Sequence, residues 1–475
     1  MKTPQSISLL ILAALLMVSC EKYLDIKTTN VQSPIESAEQ CQQLLDNYSV
    51  MNNGMPYDGT VSADEYYLNP LSTLLDGGSQ EDRAIYLWDA GAIRALAQPQ
   101  WQRPYNVIYY ANVVIEYAEK IGKKGEADVA VLNALRGSAL FFRAFAHWQV
   151  AQLYARPYSP STASQDPGIP LRLVSDINEK SVRGTVEQTY SRLVQDLQEA
   201  VTLLPESPGI SSRPNKAAGY ALLARVYQCM EDYPSALAAA NASLQLRSGL
   251  LDYNGNEVNR ALTTNTPFTR FNREVLFAAV MFSCPLLNPG AENNPVAILD
   301  PDLAASYDAN DLRKTVLMKP NKIRVGTVLV PDGTYRFTGN YNQSAGAELF
   351  MGLAVDEVYL IRAECYARTG RVQEAMDDLN TLLRTRWVTG TYINMIATSS
   401  DDALVKVLTE RKKELLFRGL RWTDLRRLNK DSRFSKTQSR TVKTVTYTLP
   451  PNDPRYTLLI PADVTNYGGI PQNTR

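Results

Sequence analysis

Apolar residues recur with a helical period in some stretches of this chain and with an alternating or irregular one in others. From Trp101 to Lys120 the sequence reads W-Q-R-P-Y-N-V-I-Y-Y-A-N-V-V-I-E-Y-A-E-K, and Val107, Tyr110, Val114 and Tyr117 fall on one face of a helix. Further helices are predicted over about 128–154 and about 186–204, the latter stopped by Pro205, with a Pro/Ser/Gly-rich loop over 156–170 between them. Asn215 to Leu246 is more informative. Tyr220, Leu223, Ala224 and Tyr227, then Tyr233, Ala236 and Ala240, stand at the spacings of a tetratricopeptide helix pair. The alanines let two antiparallel helices approach, and the tyrosines fill the space between them. A second unit lies over 355–387, where Tyr359, Ala363, Tyr366, Ala375 and Leu379 fit the same template and Gly370 stands where the first helix must end. Ser399 to Asp402 opens a last helical region, with Leu404, Val407, Leu408 and Leu415 on one face and Gly419 placed to end it.

The rest follows other rules. Residues 250–347 are rich in Asn, Pro, Gly and aromatics with little helical period, and residues 51–99 are similarly loop-rich. Arg324 to Gly339 alternates around Asp332-Gly333, a hairpin signal, and Thr441–Leu449 and Tyr456–Ile460 alternate as strands. The predicted fold class is mostly α: a tetratricopeptide-like helix-pair scaffold with long irregular loops and a few short β-hairpins. Loops of this length are functional or disordered, and these hold too many aromatics for simple disorder.

The amino terminus has its own logic. Lys2 is the only charge before an apolar run from Ile7 to Val18, which is too short for a membrane-spanning helix of roughly 20 residues. A short positive start, a short apolar core and a small-residue exit at Ser19 describe a secretory signal. Cys20 directly after it resembles a bacterial lipobox, with Met17 in place of the usual Leu. The expected organisation is a lipoprotein signal over 1–19, then one body over 20–475. In that body the helical scaffold occupies roughly 101–250 and 350–430, and the loop-rich excursions roughly 51–100 and 250–347. No second apolar run is read as long enough to cross a bilayer. Cys41, Cys229, Cys284 and Cys365 are scattered singly, without metal-ligand spacing, and a disulfide among them stays open.

Composition narrows the function. Lys and Arg total 49 against 49 for Asp and Glu, a balance that argues against nucleic acid as partner. His147 is the only histidine and lies in a densely apolar helix, so catalytic triads and histidine-bound metals are not expected. No phosphate loop, dinucleotide fingerprint or nucleophile elbow occurs, and neither cofactor nor metal is expected. The 26 tyrosines, against 11 Phe and 5 Trp, are either packing or the flat, hydroxyl-tipped surface that suits a sugar ring. Glu410 and Asp424 form a glycosidase-like carboxylate pair on one reading; on the other they neutralise neighbouring arginines and fix helix packing, which is the reading favoured here.

Taken in order, several segments together resemble the SusD-like (RagB/SusD) outer-membrane lipoproteins of Bacteroidetes. They are Cys20 to Asp25, Trp101 to Asn112, Leu135 to Tyr154, Asn215 to Tyr233, Val358 to Glu364, Glu410 to Arg427, and Ile460-Pro461 followed by Pro471-Gln472-Asn473. Arg418, where an acid is common, and Gly468-Gly469, in place of an Asn-Pro context, depart from the pattern in scaffold and tail. The resemblance implies a non-enzymatic, surface-exposed protein tethered to the outer membrane by lipid on Cys20. It would capture nutrient, typically an oligosaccharide, as a lid on a TonB-dependent barrel transporter of the SusC type.

The candidate ligand residues begin with Asp64-Glu65-Tyr66-Tyr67, in a segment leading to Trp88 and Trp101, and continue in the long insert with Tyr307, Tyr335, Phe337 and Tyr341. Loop packing is the competing reading for each. Three rival functions remain: a peptide-capturing relative on the same scaffold, a glycoside hydrolase, and a purely structural assembly scaffold.

Overall fold

The computed structural model describes residues 35–125, 127–207 and 209–475, apart from the side chains of residues 75 and 76; the signal over 1–19 and Cys20 lie outside the described residues. The helical periods become helices close to where they were expected: α1 (Gln102–Lys124), α2 (Val129–Tyr154), α3 (Val186–Leu203), α4 (Lys216–Cys229) and α5 (Tyr233–Leu246). After the insert come α6 (Val355–Arg368), α7 (Val372–Arg384), α8 (Ser400–Glu414) and α9 (Arg421–Leu428). Side-chain caps explain several starts. Asp128 accepts from the Ala130 N–H, Asn215 from that of Ala218 and Ser399 from that of Asp402, while Thr185 and Gln188 form a reciprocal capping box.

Each helix packs on the next, α1 on α2 through to α5, and α5 then packs directly on α6. The two tetratricopeptide-like units, separated by the insert in sequence, are therefore neighbours in space, and the scaffold is one continuous run of helix pairs. Gly219 permits one close approach: a Cβ there would lie 2.7 Å from Val201 Cγ1 on α3. Gly370, at φ +82°, makes the left-handed turn between α6 and α7. Buried ion pairs tie the helices together. Arg143 on α2 holds Asp196 on α3 (2.8 Å), Arg225 on α4 holds Glu357 on α6 (2.6 Å), and Arg427 on α9 holds Glu364 on α6 (2.5 Å). Helix α2 is long and apolar enough to meet the composition test for a membrane span, contrary to expectation; it is a core helix, its Leu135–Tyr154 half almost entirely buried.

The excursions form small two-stranded sheets around this frame. β1 (Tyr66–Leu68) pairs antiparallel with β2 (Ala297–Leu299), joining the N-terminal excursion to the insert. The insert hairpin is β3 (Met318–Val325) with β4 (Val328–Phe337), and its reversal falls at Gly326-Thr327, not at Asp332-Gly333. Asp332-Gly333 instead lies within β4 opposite a register shift, where the Asp332 carboxylate accepts the Thr334 N–H (2.8 Å) and Gly333 takes φ +86°. The true turn keeps Ile323 opposite Val330 and Val325 opposite Val328, a pairing that a turn at 332 would break. The stretch read as one strand over Thr441–Leu449 belongs to a hairpin, β5 (Gln438–Val442) and β6 (Val445–Leu449), with Lys443 at φ +55°. Tyr456–Ile460 is not a strand. Tyr456 closes a 3-10 turn and stacks on Trp422, the Leu458 N–H caps the end of α2 at the Leu153 carbonyl (2.8 Å), and the Ile460 N–H donates to Gln472 (2.7 Å).

Candidate functional site

The β1–β2 pairing decides which tyrosine faces which way. Successive residues of a strand point to opposite sides, so Tyr66 turns inward and is 3% exposed while Tyr67 stays half-buried at the surface. The Tyr66 ring packs between Tyr86 (5.8 Å between centroids) and Phe417 (5.6 Å), and Phe337 stacks on Phe417 (5.0 Å, 23°). Arg440 of β5 enters this cluster from the far end of the chain. Its guanidinium carbon lies 3.9 Å from the Tyr86 ring centre and 4.4 Å from that of Trp88, and it donates to the carbonyls of Val61, Ala63 and Tyr86. The side chain thus joins cation–π contact with backbone hydrogen bonding in a buried setting. Trp88 takes φ +54°, donates its indole N–H to the Ser62 carbonyl (3.0 Å), and is 4% exposed.

Above this cluster opens a groove of about 330 Å³ walled by Asp64, Tyr67, Trp88, Asp300, Gln438 and Arg440. It meets a second groove of about 320 Å³ at Asp300 and Lys436; Lys412 and Arg421 line the latter. Asp64, in the first groove, is bound to residues that line the second. Arg421 grips its carboxylate with two bonds (2.6 and 3.0 Å) and Lys412 adds a third (3.2 Å). Burial raises the Asp64 pKa, but Arg421 and Lys412 outweigh it and hold the carboxyl well below the usual range. Beneath it Glu65 is 1% exposed, with one oxygen accepting the Phe417 N–H (2.8 Å) and the other without a partner; burial pushes its carboxyl up to about 7. Burial also raises the Tyr67 hydroxyl, helped by Asp332 and Asp300.

The structure therefore brings together Asp64, Tyr66, Tyr67 and Trp88. Trp101 lies elsewhere, stacked on Tyr105 (5.0 Å) in a different groove of about 250 Å³. Tyr307 and Tyr341 are each 2% exposed, their hydroxyls spent on the Lys413 carbonyl (2.7 Å) and the Glu274 carboxylate (2.5 Å). Phe337 is 5% exposed, and Tyr335 sits half-buried opposite Pro320. Tyr307, Tyr341 and Phe337 are packing residues in this fold. Arg440, Lys436, Lys412 and Arg421 were not singled out from the sequence, because nothing local connects them to residues near 65.

Glu410 and Asp424 do not face one another across an open site. Glu410 binds Arg313 (2.5 Å) and Lys413 (2.9 Å), and Asp424 binds Arg411 (2.8 Å) and Arg427 (2.9 Å), all buried. His147 is fully buried, and burial with the charges of Arg143 and Arg192 pushes its imidazole down to about 3. The four described cysteines are buried and free.

Residues 22–228 match the family described as "Starch-binding associating with outer membrane", and residues 337–462 match the SusD family. The chain belongs to the SusD-like (RagB/SusD) family. A curated relative, SusD-like protein P2 of Formosa agariphila, is 23% identical over 74% of this chain and 75% of its own length. Among solved structures, a SusD superfamily protein of Bacteroides thetaiotaomicron superposes with a TM-score of 0.73 at 22% identity, covering 93% of this chain and 100% of its own. Surface glycan-binding protein A of Bacteroides uniformis gives 0.68 at 16% identity, covering 92% and 99%. At these identities the structural likeness establishes the fold.

Proposed function

We propose that this protein is an outer-membrane lipoprotein that captures oligosaccharide without altering it and delivers it to a SusC-type TonB-dependent transporter. Lipid on Cys20 tethers it, facing the extracellular side. The groove over Asp64, Tyr67 and Arg440 is the capture site. Tyr67 supplies an accessible ring face for the C–H side of a sugar, with its hydroxyl at the edge; Asp64, Asp300, Lys436 and Gln438 supply hydrogen-bonding groups around it. The carrying observation is the convergence of Asp64, Tyr66, Tyr67 and Trp88, from one loop-rich excursion, onto one open polar and aromatic groove. The engagement of Glu410 and Asp424 in buried ion pairs weighs against hydrolysis at that pair. Each hydrogen bond to sugar contributes about 0.5–1.5 kcal/mol net, so affinity is modest and transfer to the transporter stays reversible until uptake.

The test is a glycan and peptide array on the protein beginning after Cys20, followed by titration of the best ligand into Tyr67→Ala. Glycan binding that weakens in the variant supports the proposal. Binding to peptides alone, or release of reducing sugar by the purified protein, overturns it.

A further inference from the structure

The groove around Trp101 is built differently, and we infer that it is a second carbohydrate-binding site, holding one sugar ring of a polymeric ligand. The class of ligand rests on the function proposed above; the geometry stands apart from it. Trp101, Tyr105 and Tyr109 stand at intervals of four residues, so the start of α1 presents three rings along one side. Trp101 stacks on Tyr105 (5.0 Å, 27°) and is held edge-on by Tyr154 (5.2 Å, 67°). The Tyr105 hydroxyl donates to the Pro170 carbonyl (2.8 Å), which fixes its ring. Tyr109 at the outer end is 42% exposed and is the open ring of this groove, since Trp101 itself is 7% exposed.

The opposite wall is the loop after Pro170, and it is fastened down. Asn112 of α1 donates to the carbonyls of Arg172 and Val174 (3.1 Å each), while the Ser175 N–H and hydroxyl both donate to Glu116 (2.6 and 2.5 Å). Arg172 donates in turn to the carbonyls of Asp176 and Glu179. The groove is thus pre-formed, which reduces the ordering cost of binding. Its volume of about 250 Å³ is below the range that encloses a drug-sized ligand and suits a single ring with the chain leaving at either side.

The donor inventory separates the two tryptophans. Trp88 spends its N–H on Ser62, whereas the Trp101 N–H donates to no described residue and is not among the sealed, unsatisfied donors of the interior. Tyr109 and the unused Trp101 donor line the same groove, so it offers both things a pyranose needs, a partner for a C–H face and one for a hydroxyl edge. A polymer held at two points gains through effective concentration, with no stronger contact at either.

The experiment uses the protein beginning after Cys20. Electrophoresis is run in gels containing starch, laminarin, xylan or mannan, with calorimetry on the hexasaccharide of whichever polymer retards the protein. The expected results are two hexasaccharides bound per chain in the wild type, and one in Tyr109→Ala and in Tyr67→Ala. Retardation is weakened roughly two- to tenfold in each and abolished in the double variant. Tyr109→Phe, which keeps the ring, restores the second site, and an unchanged circular dichroism spectrum excludes misfolding of this exposed position. If Tyr109→Ala matches wild type while Tyr67→Ala is impaired, the second site is overturned and the capture groove stands. If the reverse holds, the capture groove falls and the second site stands. Retardation by none of the four polymers overturns both.

Discussion

The buried carboxyl of Glu65 allows a quantitative prediction about the floor beneath the proposed capture groove. The ordinary carboxyl value of 4.5 rises to about 7 in the fold, driven first by burial. The unfolded chain therefore loses this proton near 4.5 while the folded chain keeps it to about 7. The sign follows: the contribution is fully present below 4.5 and is lost as pH rises through 7. Each pH unit of that gap corresponds to about 1.4 kcal/mol, so the full effect is about 3 kcal/mol. His147 acts in the opposite direction. Its folded value of about 3 lies below the ordinary 6.5, so its contribution is lost as pH falls from 6.5 toward 3. The raw stability curve mixes the two, and the informative quantity is the difference between wild type and Glu65→Gln, a substitution that keeps an acceptor for the Phe417 N–H. Urea unfolding followed by tryptophan fluorescence at pH steps from 4.5 to 8 measures it. Wild type should lose about 3 kcal/mol relative to the variant across that window, and a protonated-carboxyl infrared band at pH 6 should vanish in the variant. A flat difference, with no such band, would refute the reasoning.

Three further outcomes follow from the packing. Removing one partner of the Arg225–Glu357 pair, both side chains at most 2% exposed, leaves a buried charge alone; Glu357→Ala should cost about 3–5 kcal/mol in urea unfolding, and Arg225→Met with Glu357→Leu should recover most of it. Trp88→Ala should act mainly on stability, by about 3–5 kcal/mol, because it empties the space beside Arg440, whereas Tyr67→Ala should weaken glycan binding with little change in melting temperature. Gly219→Ala should destabilise by about 1–3 kcal/mol, since its Cβ would stand 2.7 Å from Val201, and Val201→Ala in the same chain should relieve most of that cost.

Much of the frame was legible because its signals are local. Helical period, the alanine and tyrosine spacing of the paired units, and cap residues such as Asp128, Asn215 and Ser399 each act within a few positions of the structure they specify. The hairpin turn was misplaced for the opposite reason. Asp332-Gly333 has the local chemistry of a turn and uses it within β4, but strand pairing of the aliphatics around Gly326 decides where the chain reverses. The capture groove was half legible. Asp64, Tyr66, Tyr67 and Trp88 stand close in sequence, yet Arg440, which organises the rings beneath them, is 354 positions from the Tyr86 carbonyl it binds. The insert aromatics misled because composition does not distinguish a ring that faces solvent from one sealed in by its own hydroxyl, as Tyr307 and Tyr341 are.

A charge trio at Asp64 joins ring packing and backbone hydrogen bonds in pinning the groove to the scaffold. Asp64 belongs to the N-terminal excursion, while Arg421 begins α9 and Lys412 lies on α8, so one carboxylate joins a loop to two helices. Directional ion pairs specify geometry more than they add stability, because desolvation offsets their attraction. With Asp64 at 13% side-chain exposure and Arg421 at 16%, solvent screens the trio in part, and Asp64→Asn should cost about 3 kcal/mol at most. The effect on binding should be larger than that on folding: Asn cannot accept a paired bond from Arg421, and the segment bearing Tyr67 loses its anchor on α8 and α9. Faster amide hydrogen exchange across residues 62–68, with glycan affinity reduced at least tenfold and α1–α5 exchange unchanged, is the expected result. Unchanged exchange together with unchanged affinity would show that the β1–β2 pairing alone positions the groove, with Asp64 a bystander.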